Sequence, residues 1–161
     1  MNRYYPSEDL LHYLRKIYVL DWRRGLHGFS HWQRVLTNGL MLAKKNGANQ
    51  RVVTLFAFLH DICREDDGYD LEHGGRAKAL ILSTVQPEFL HLPSDELNLL
   101  TYACEFHTNG FTEGDLTVLT CWDADRLDLG RVGIVPDPEY LCTVEAKDEK
   151  MIMNAYKRSL Q

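Results

Sequence analysis

The segment VVTLFAFLHD (residues 52–61) decides the fold, because an almost wholly apolar run leads directly into a histidine and an aspartate. As a helix, the run from Val52 to Leu59 is apolar on nearly every face, which predicts a buried helix rather than an amphipathic one. His60 and Asp61 would then lie in the protein interior. Burying an imidazole and a carboxylate without partners is costly, so the sequence predicts that something compensates them there.

The composition of the chain favours one compact domain over residues 1–161, since 45% of its 161 residues are hydrophobic and can form a core. A net charge of -5 argues against binding to a nucleic-acid polymer. The four cysteines form no CxxC pair, so neither a zinc ribbon nor a disulfide framework is indicated. We expect no membrane partner and a cytoplasmic location, because the sequence shows neither a long apolar span nor a signal-type start.

Apolar residues recur at helical spacing along the chain and predict an all-α fold of about six or seven helices. The predicted helices cover roughly residues 7–20, 30–45, 50–62, 72–82, 94–107, 112–129 and 144–159. Pro87 and Pro93 predict a connection between the fourth and fifth helices, and Ile134 to Pro138 predicts an extended segment.

Residue types that suit metal coordination recur at or within these apolar helices. They are His31, His60, Asp61, His73, His107 and either Asp123 or Asp125. Imidazole nitrogens and carboxylate oxygens suit divalent Mn, Fe, Ni, Co or Zn, and every cysteine lies outside the pattern. A bound cation would also explain how His60 and Asp61 tolerate burial. Two choices stay open: Asp123 against Asp125, and His31 against His27, which lies four residues earlier.

This ordered pattern resembles the HD-domain superfamily of metal-dependent phosphohydrolases, whose signature is a histidine, a His-Asp doublet and a final aspartate. His31 in HGFSHW matches the first histidine, His60-Asp61 in FLHDICR matches the doublet, and Asp125 in DADRL matches the final aspartate. The resemblance covers roughly residues 27–130. It implies a compact helical bundle that binds a divalent transition metal.

His73 and His107 match two further histidines that the binuclear members of this superfamily carry. In such members the aspartate of the doublet bridges two ions. The resemblance therefore implies that Asp61 bridges one ion held by His31, His60 and Asp125 and a second ion held by His73 and His107. The expected cofactor is one or two ions of Mn, Fe, Ni, Co or Zn.

The resemblance implies a phosphohydrolase that attacks a small phosphate ester, such as a nucleotide, with metal-activated water. Asp61 is expected to act as a ligand and as a proton acceptor. Arg64 is expected to bind a phosphate oxygen and offset charge in the transition state. Further candidate substrate contacts are Arg126, Lys78 and His27.

Two other functions fit the same pattern of residues. HD diiron oxygenases that resemble myo-inositol oxygenase use six such ligands and two irons to activate dioxygen, together with a substrate-binding lysine that has no clear counterpart here. A non-catalytic HD module would bind a nucleotide without turning it over. Oxygen uptake with two irons would indicate the first, and nucleotide binding without metal-dependent turnover would indicate the second.

Overall fold

The computed structural model describes residues 3–161, and within that range the chain is helical and contains no strand. Its α-helices are α1 (Glu8–Ile17), α2 (Phe29–Asn46), α3 (Gln50–Leu59), α4 (His73–Leu80), α5 (Ser94–Phe106), α6 (Leu116–Arg126) and α7 (Glu149–Ser159). A π-helix (Ile81–Leu90) follows α4, and two 3-10 helices (Leu129–Val132 and Pro138–Tyr140) follow α6. The predicted all-α fold with six or seven helices is confirmed.

Helix α3 forms the centre of the molecule. Every residue from Val52 to Leu59 is buried, and the helix packs against α2, α5 and α6. The side chain of Asn49 caps its first turn by accepting hydrogen bonds from the backbone N–H groups of Arg51 and Val52. The buried helix predicted from the apolar run is therefore confirmed, and its C-terminal end delivers His60 and Asp61 to the interior.

The connection predicted around Pro87 is wrong, because the chain stays helical as far as Leu90. Proline lacks a backbone N–H, and its ring clashes with a carbonyl of a regular α turn. From Ile81 onward the backbone adopts wider π turns, and these accommodate the proline within the helix. The sequence pattern alone gave no sign of this change in helix type.

Other helix boundaries also differ from prediction. Helix α6 begins at Leu116 instead of about residue 112, because the side chain of Asp115 caps it by accepting the backbone N–H of Thr117. Helix α1 ends at Ile17 instead of continuing to about Leu20, because Tyr18 has an extended backbone (φ -67°, ψ 124°). Helix α7 begins at Glu149 instead of Val144, because the side chain of Asp148 caps it by accepting the backbone N–H of Met151. Residues 144–147 form a turn before that cap.

A smaller apolar cluster joins the C-terminal part of the chain to the central bundle. It consists of Leu42, Leu127, Leu141, Ala146, Met151, Ile152 and Ala155. Through this cluster α7 packs on α2 and on the 3-10 helix that follows α6. No helix in residues 3–161 combines the length and the apolarity that crossing a membrane requires.

Candidate metal centre

Helix ends from five elements meet at one buried place. The side chains brought together, called here the donor cluster, are those of His31, His60, Asp61, His73, His107 and Asp125. They come from the first turn of α2, the residues directly after α3, the first residue of α4, the residue after α5 and the last turn of α6. The four imidazoles are at most 4% exposed, and Asp61 is 2% exposed. The sequence-predicted ligands therefore lie together in the interior.

The four histidines of the donor cluster share one orientation, in which Nδ1 faces a hydrogen-bond acceptor. These acceptors are Asp128 Oδ2 at 2.7 Å for His31, the Phe56 carbonyl at 3.1 Å for His60, the Asp70 carbonyl for His73 and the Cys104 carbonyl at 2.7 Å for His107. An acceptor at Nδ1 keeps a proton on that atom, so a neutral ring presents its lone pair at Nε2. The Nε2 atoms of all four rings face the cluster.

Asp61 divides the donor cluster into two groups, because its two carboxylate oxygens face different histidines. Oδ2 lies 3.5 Å from His31 Nε2 and 3.4 Å from His60 Nε2. Oδ1 lies 3.1 Å from His73 Nε2 and 3.4 Å from His107 Nε2. The Nε2 atoms are 3.2 Å apart in the first pair and 2.9 Å apart in the second.

Asp125 lies beside the first group, and its carboxylate is also within 4.8 Å of the ligand nitrogen of His107. Its Oδ1 lies 3.3 Å from His31 Nε2 and 3.7 Å from His60 Nε2. This oxygen is buried and has no hydrogen-bond partner. A carboxylate oxygen in that position is costly unless a cation supplies the missing interaction.

The separations within the donor cluster fit coordination to a metal. Two ligand bonds of about 2.1 Å at roughly 90–110° hold their donor atoms about 3.0–3.4 Å apart. The N···N and N···O distances cited within the two groups are 2.9–3.5 Å, close to this range. The groups of candidate ligands contain only histidine and aspartate, which suits Mn, Fe, Co, Ni or Zn. The residues present therefore fit a metal centre.

The carboxylates around His31 favour a positive charge at its position. Burial lowers the pKa of His31 and Arg131 adds to this, but the carboxylates of Asp125, Asp128 and Asp61 outweigh both and raise the pKa to about 9. Without a cation, this imidazole therefore carries a second proton, on Nε2, at neutral pH. A metal that binds His31 must displace that proton, so the two compete for the same place.

The carboxylates of the cluster stay ionised. Burial alone would raise the pKa of Asp61, but the neighbouring His60, His107 and His31 hold it well below its usual range. The pKa of Asp125 is also lowered, because its interactions with His31, His60 and Arg131 outweigh the effect of burial. The cluster therefore presents anionic oxygens and imidazole nitrogens in one small volume.

The architecture that holds this cluster occurs in a solved structure. The crystal structure of a predicted HD superfamily hydrolase from an uncultured Thermotogales bacterium matches with a TM-score of 0.74, covering 99% of this chain and 90% of that chain. The chain has an HD-domain fold. The two sequences are 23% identical, so the likeness concerns the fold. Comparisons of the sequence with known protein families and with curated proteins find no match.

Hydrogen bonds distinguish the two aspartates on α6. Asp125 faces the donor cluster, whereas Asp123 accepts hydrogen bonds from the backbone N–H of Cys142 and from the N–H and hydroxyl of Thr143, at 2.7–2.8 Å. Asp123 therefore fixes the segment that leads to α7. In the described residues it holds neither Arg126 nor a histidine, contrary to the role considered for it from the sequence.

His27 and Arg64 lie at the edge of the donor cluster of the HD fold. His27 Nδ1 is 2.9 Å from Asp67 Oδ1, and its ring centre is 6.1 Å from that of His31. Arg64 donates from Nε to Asp61 Oδ1 at 3.2 Å. The geometry thus favours His31 over His27 as the candidate ligand and leaves His27 as a candidate substrate contact.

Two of the predicted substrate contacts bind residues outside the donor cluster. Arg126 donates to the carbonyls of Tyr140 and Phe111, and Lys78 pairs with Glu105, so neither is bound to the donor cluster. Successive residues of an α-helix point about 100° apart, so Arg126 turns away where Asp125 turns inward. Lys78 follows His73 by five residues and projects from another face of α4.

Sequence reasoning missed Asp128, which orients His31. It is 1% exposed, and its two oxygens lie 2.7 Å from His31 Nδ1 and 2.7 Å from Arg34 Nε. Residues three apart share one face of a helix. Arg34 follows His31 by three residues and Asp128 follows Asp125 by three, so this spacing was the signal that could have revealed the pair.

Replacing Asp128 with asparagine should weaken metal binding by about 10- to 100-fold, the usual cost of losing a residue that orients a ligand histidine. The amide cannot supply the charge that holds both His31 and Arg34. Titration with Mn²⁺ measures the effect. Asp95→Asn, an exposed change at the start of α5, is the control. Equal Mn²⁺ affinity in the two variants would show that Asp128 does not support the site.

Gly74 allows His73 and His107 to meet. A Cβ at Gly74 would lie 2.6 Å from the carbonyl oxygen of Cys104 and 2.7 Å from that of Glu105, so α4 starts directly against the end of α5. Gly75 has no neighbour within 4 Å of the same position. The pair therefore offers a matched comparison within a single helical turn.

Gly74→Ala should destabilise the fold by about 1–3 kcal/mol through overpacking and should reduce metal content, because it separates His73 from His107. Gly75→Ala should be neutral or stabilising by up to about 1 kcal/mol, since alanine favours the helix. Thermal unfolding and elemental analysis of both variants measure these effects. Similar behaviour of the two variants would contradict the close approach inferred at Gly74.

Proposed function

We propose that the chain is a metal-dependent phosphohydrolase that acts on a small phosphate ester, such as a nucleotide. The observation that carries this proposal is the convergence of four imidazole Nε2 atoms and two carboxylates in one buried cluster, with an arginine at its edge. The name of the solved structure that shares the fold, a predicted hydrolase, supports it. The net charge of -5 disfavours a polyanionic polymer as substrate.

In this proposal the donor cluster would hold two ions. His31, His60 and Asp125 would hold the first, His73 and His107 would hold the second, and Asp61 would serve both. A bound divalent cation supplies a Lewis acid that lowers the pKa of water and neutralises phosphoryl oxygens. The division of the Asp61 oxygens between the two histidine pairs supports the shared role. Asp61 was expected to act both as a metal ligand and as a proton acceptor. Its lowered pKa makes it a weak proton acceptor, so the role as a ligand is better supported.

Arg64 is the candidate phosphate-binding residue in this proposal. Asp61 holds its Nε, and the carbonyls of Asp66 and Gly68 accept from its Nη1 at 3.0 and 3.3 Å. Its Nη2 donates to no residue within 3–161. A guanidinium fixed in this way can stabilise charge that develops on a phosphoryl oxygen without having to reorient.

The oxygenase alternative is less well supported by the geometry. The HD oxygenases use a substrate-binding lysine, but no lysine in residues 3–161 forms an ion pair with a member of the donor cluster. The charged partners of the cluster are arginines, namely Arg64 and Arg131. Arginine suits bidentate recognition of a phosphate better than lysine does.

The test is elemental analysis of protein purified with and without air, followed by a panel of phosphate esters assayed with each retained metal. The proposal predicts release of inorganic phosphate that depends on Mn, Fe, Co, Ni or Zn and stops when a chelator is added. Oxygen uptake by a two-iron form that releases no phosphate would support the oxygenase instead. Nucleotide binding without turnover under any metal would support a non-catalytic module.

A further inference from the structure

Arg131 lies beside the donor cluster, on the 3-10 helix that follows α6. Its Nε donates to the Leu26 carbonyl at 3.0 Å, and its Nη1 donates to the Asp128 carbonyl at 3.0 Å. The Nη2 atom lies 3.9 Å from Asp125 Oδ1. The side chain is only 10% exposed. Two of its three nitrogens are therefore anchored, and the third points along the edge of the cluster.

The Nη2 group of Arg131 is available to a ligand. It donates no hydrogen bond to any residue in the described range, and it is not closed off from solvent. Its two anchors are neutral backbone carbonyls. Two carboxylate oxygens lie 3.9 Å away, Asp125 Oδ1 from Nη2 and Asp128 Oδ2 from Nη1, and both are too far for a hydrogen bond. The guanidinium therefore keeps a positive charge and a free edge in a fixed orientation.

Arg64 has the same arrangement at the other group of the cluster. Backbone carbonyls hold its Nη1, its Nε binds the Asp61 oxygen that faces His73 and His107, and its Nη2 is free. Arg131 is placed next to Asp125, in the group that contains His31. The two guanidiniums thus lie at opposite groups of the same cluster.

His27 lies next to the anchors of both guanidiniums. Arg131 donates to the carbonyl of Leu26, the residue before His27. His27 Nδ1 lies 2.9 Å from Asp67 Oδ1, and the carbonyls on either side of Asp67, those of Asp66 and Gly68, accept from Arg64. Both guanidiniums are therefore held at the edge of the cluster where His27 lies.

We propose that Arg131 is a second phosphate-binding residue and that, together with Arg64, it selects phosphate monoesters over diesters. This proposal rests on the proposed function. A monoester has three non-bridging oxygens and up to two negative charges, whereas a diester has two such oxygens and one charge. Two fixed guanidiniums at opposite groups of the cluster supply charge-assisted donors that only the monoester uses fully.

A purely structural role for Arg131 makes a different prediction. In that case the side chain only fastens the loop at Leu26 to the 3-10 helix, and its loss lowers stability without changing phosphate affinity. Arg131→Gln and Arg131→Lys separate the two roles. Glutamine removes the positive charge. Lysine keeps the charge, but its single nitrogen cannot bind both carbonyls and also donate to a phosphate. Arg15→Gln, an exposed change on α1, controls for the loss of a positive charge.

The experiment measures inhibition by inorganic phosphate, together with the KM and kcat for an aryl phosphate monoester and a diester, using Mn²⁺-loaded protein. Arg131→Gln should weaken phosphate inhibition about 10- to 100-fold and raise the monoester KM similarly, with metal content unchanged. For Arg131→Lys, phosphate inhibition and the monoester KM should lie between the values of Arg131→Gln and the wild type. Turnover of the diester should change less than turnover of the monoester in both variants. Arg15→Gln should match the wild type in every measurement. Unchanged phosphate inhibition in a metal-loaded Arg131 variant would overturn the inference.

A crystal of the wild-type protein with Mn²⁺ and inorganic phosphate tests the same inference without a variant. A phosphate oxygen within hydrogen-bond distance of Arg131 Nη2 is expected, and a phosphate bound at the cluster but out of its reach would contradict the inference. Wild-type protein that releases phosphate while Arg131→Gln behaves normally would refute the role of Arg131 alone. Wild-type protein that neither hydrolyses esters nor binds phosphate would refute the proposed function and the inference together.

Discussion

Asp61→Asn is expected to remove both metal ions and to lower turnover at least about a thousandfold, because a Lewis acid contributes several kcal/mol to such a reaction. Within residues 3–161, Asp61 is the residue whose oxygens lie within 3.5 Å of Nε2 atoms in both histidine pairs. Asparagine has nearly the same shape but is neutral, and its NH₂ group would face imidazole lone pairs instead of a cation. Elemental analysis and the phosphate-ester assay measure the two effects.

The variant should stay folded, which makes the result interpretable. The new amide can donate to His73 or His107, so the buried nitrogens are not left without partners. Asp95→Asn should keep the metal content and the activity of the wild type, since Asp95 is exposed on α5. A folded Asp61→Asn protein that retains about two ions per chain would show that this carboxylate is not the shared ligand.

His31→Ala and His73→Ala are expected to remove different ions. Each takes an imidazole from one group only, and Asp61 still serves the other group. Each variant should therefore hold about one ion per chain instead of about two, and the two remaining sites should give different spectra when loaded with Co²⁺. Metal titration with visible spectroscopy measures this.

His12→Ala is the control for these variants, because His12 is exposed on α1 and remote from the pattern. It should bind metal as the wild type does. Loss of both ions in each single variant would mean that the histidine pairs form one site rather than two. An unchanged metal content would mean that these rings are not ligands.

The sequence predicted the contents of the donor cluster because its members follow from local pattern. An apolar run that ends in His60 and Asp61 predicts burial, and burial of such groups predicts a partner. His31, His107 and Asp125 each interrupt an apolar helix at or near its end. The resemblance to the HD superfamily then selected His31 over His27 and Asp125 over Asp123.

The partners around the cluster depend on how helices pack, and a local pattern carries little of that information. Arg126 and Lys78 resembled substrate contacts by their position in the chain, yet the helices that carry them turn both side chains toward other partners. The side chain of Arg131 is held in position by a hydrogen bond to the carbonyl of Leu26, which is 105 residues away in sequence. A contact of that separation depends on the path of the whole chain.

Two cations in the buried cluster would be visible by anomalous scattering in a crystal of the protein grown with excess Mn²⁺. We expect two peaks, one beside His31, His60, Asp61 and Asp125 and the other beside Asp61, His73 and His107. The absence of any peak among these side chains, with their donor atoms turned to separate neighbours, would contradict this expectation.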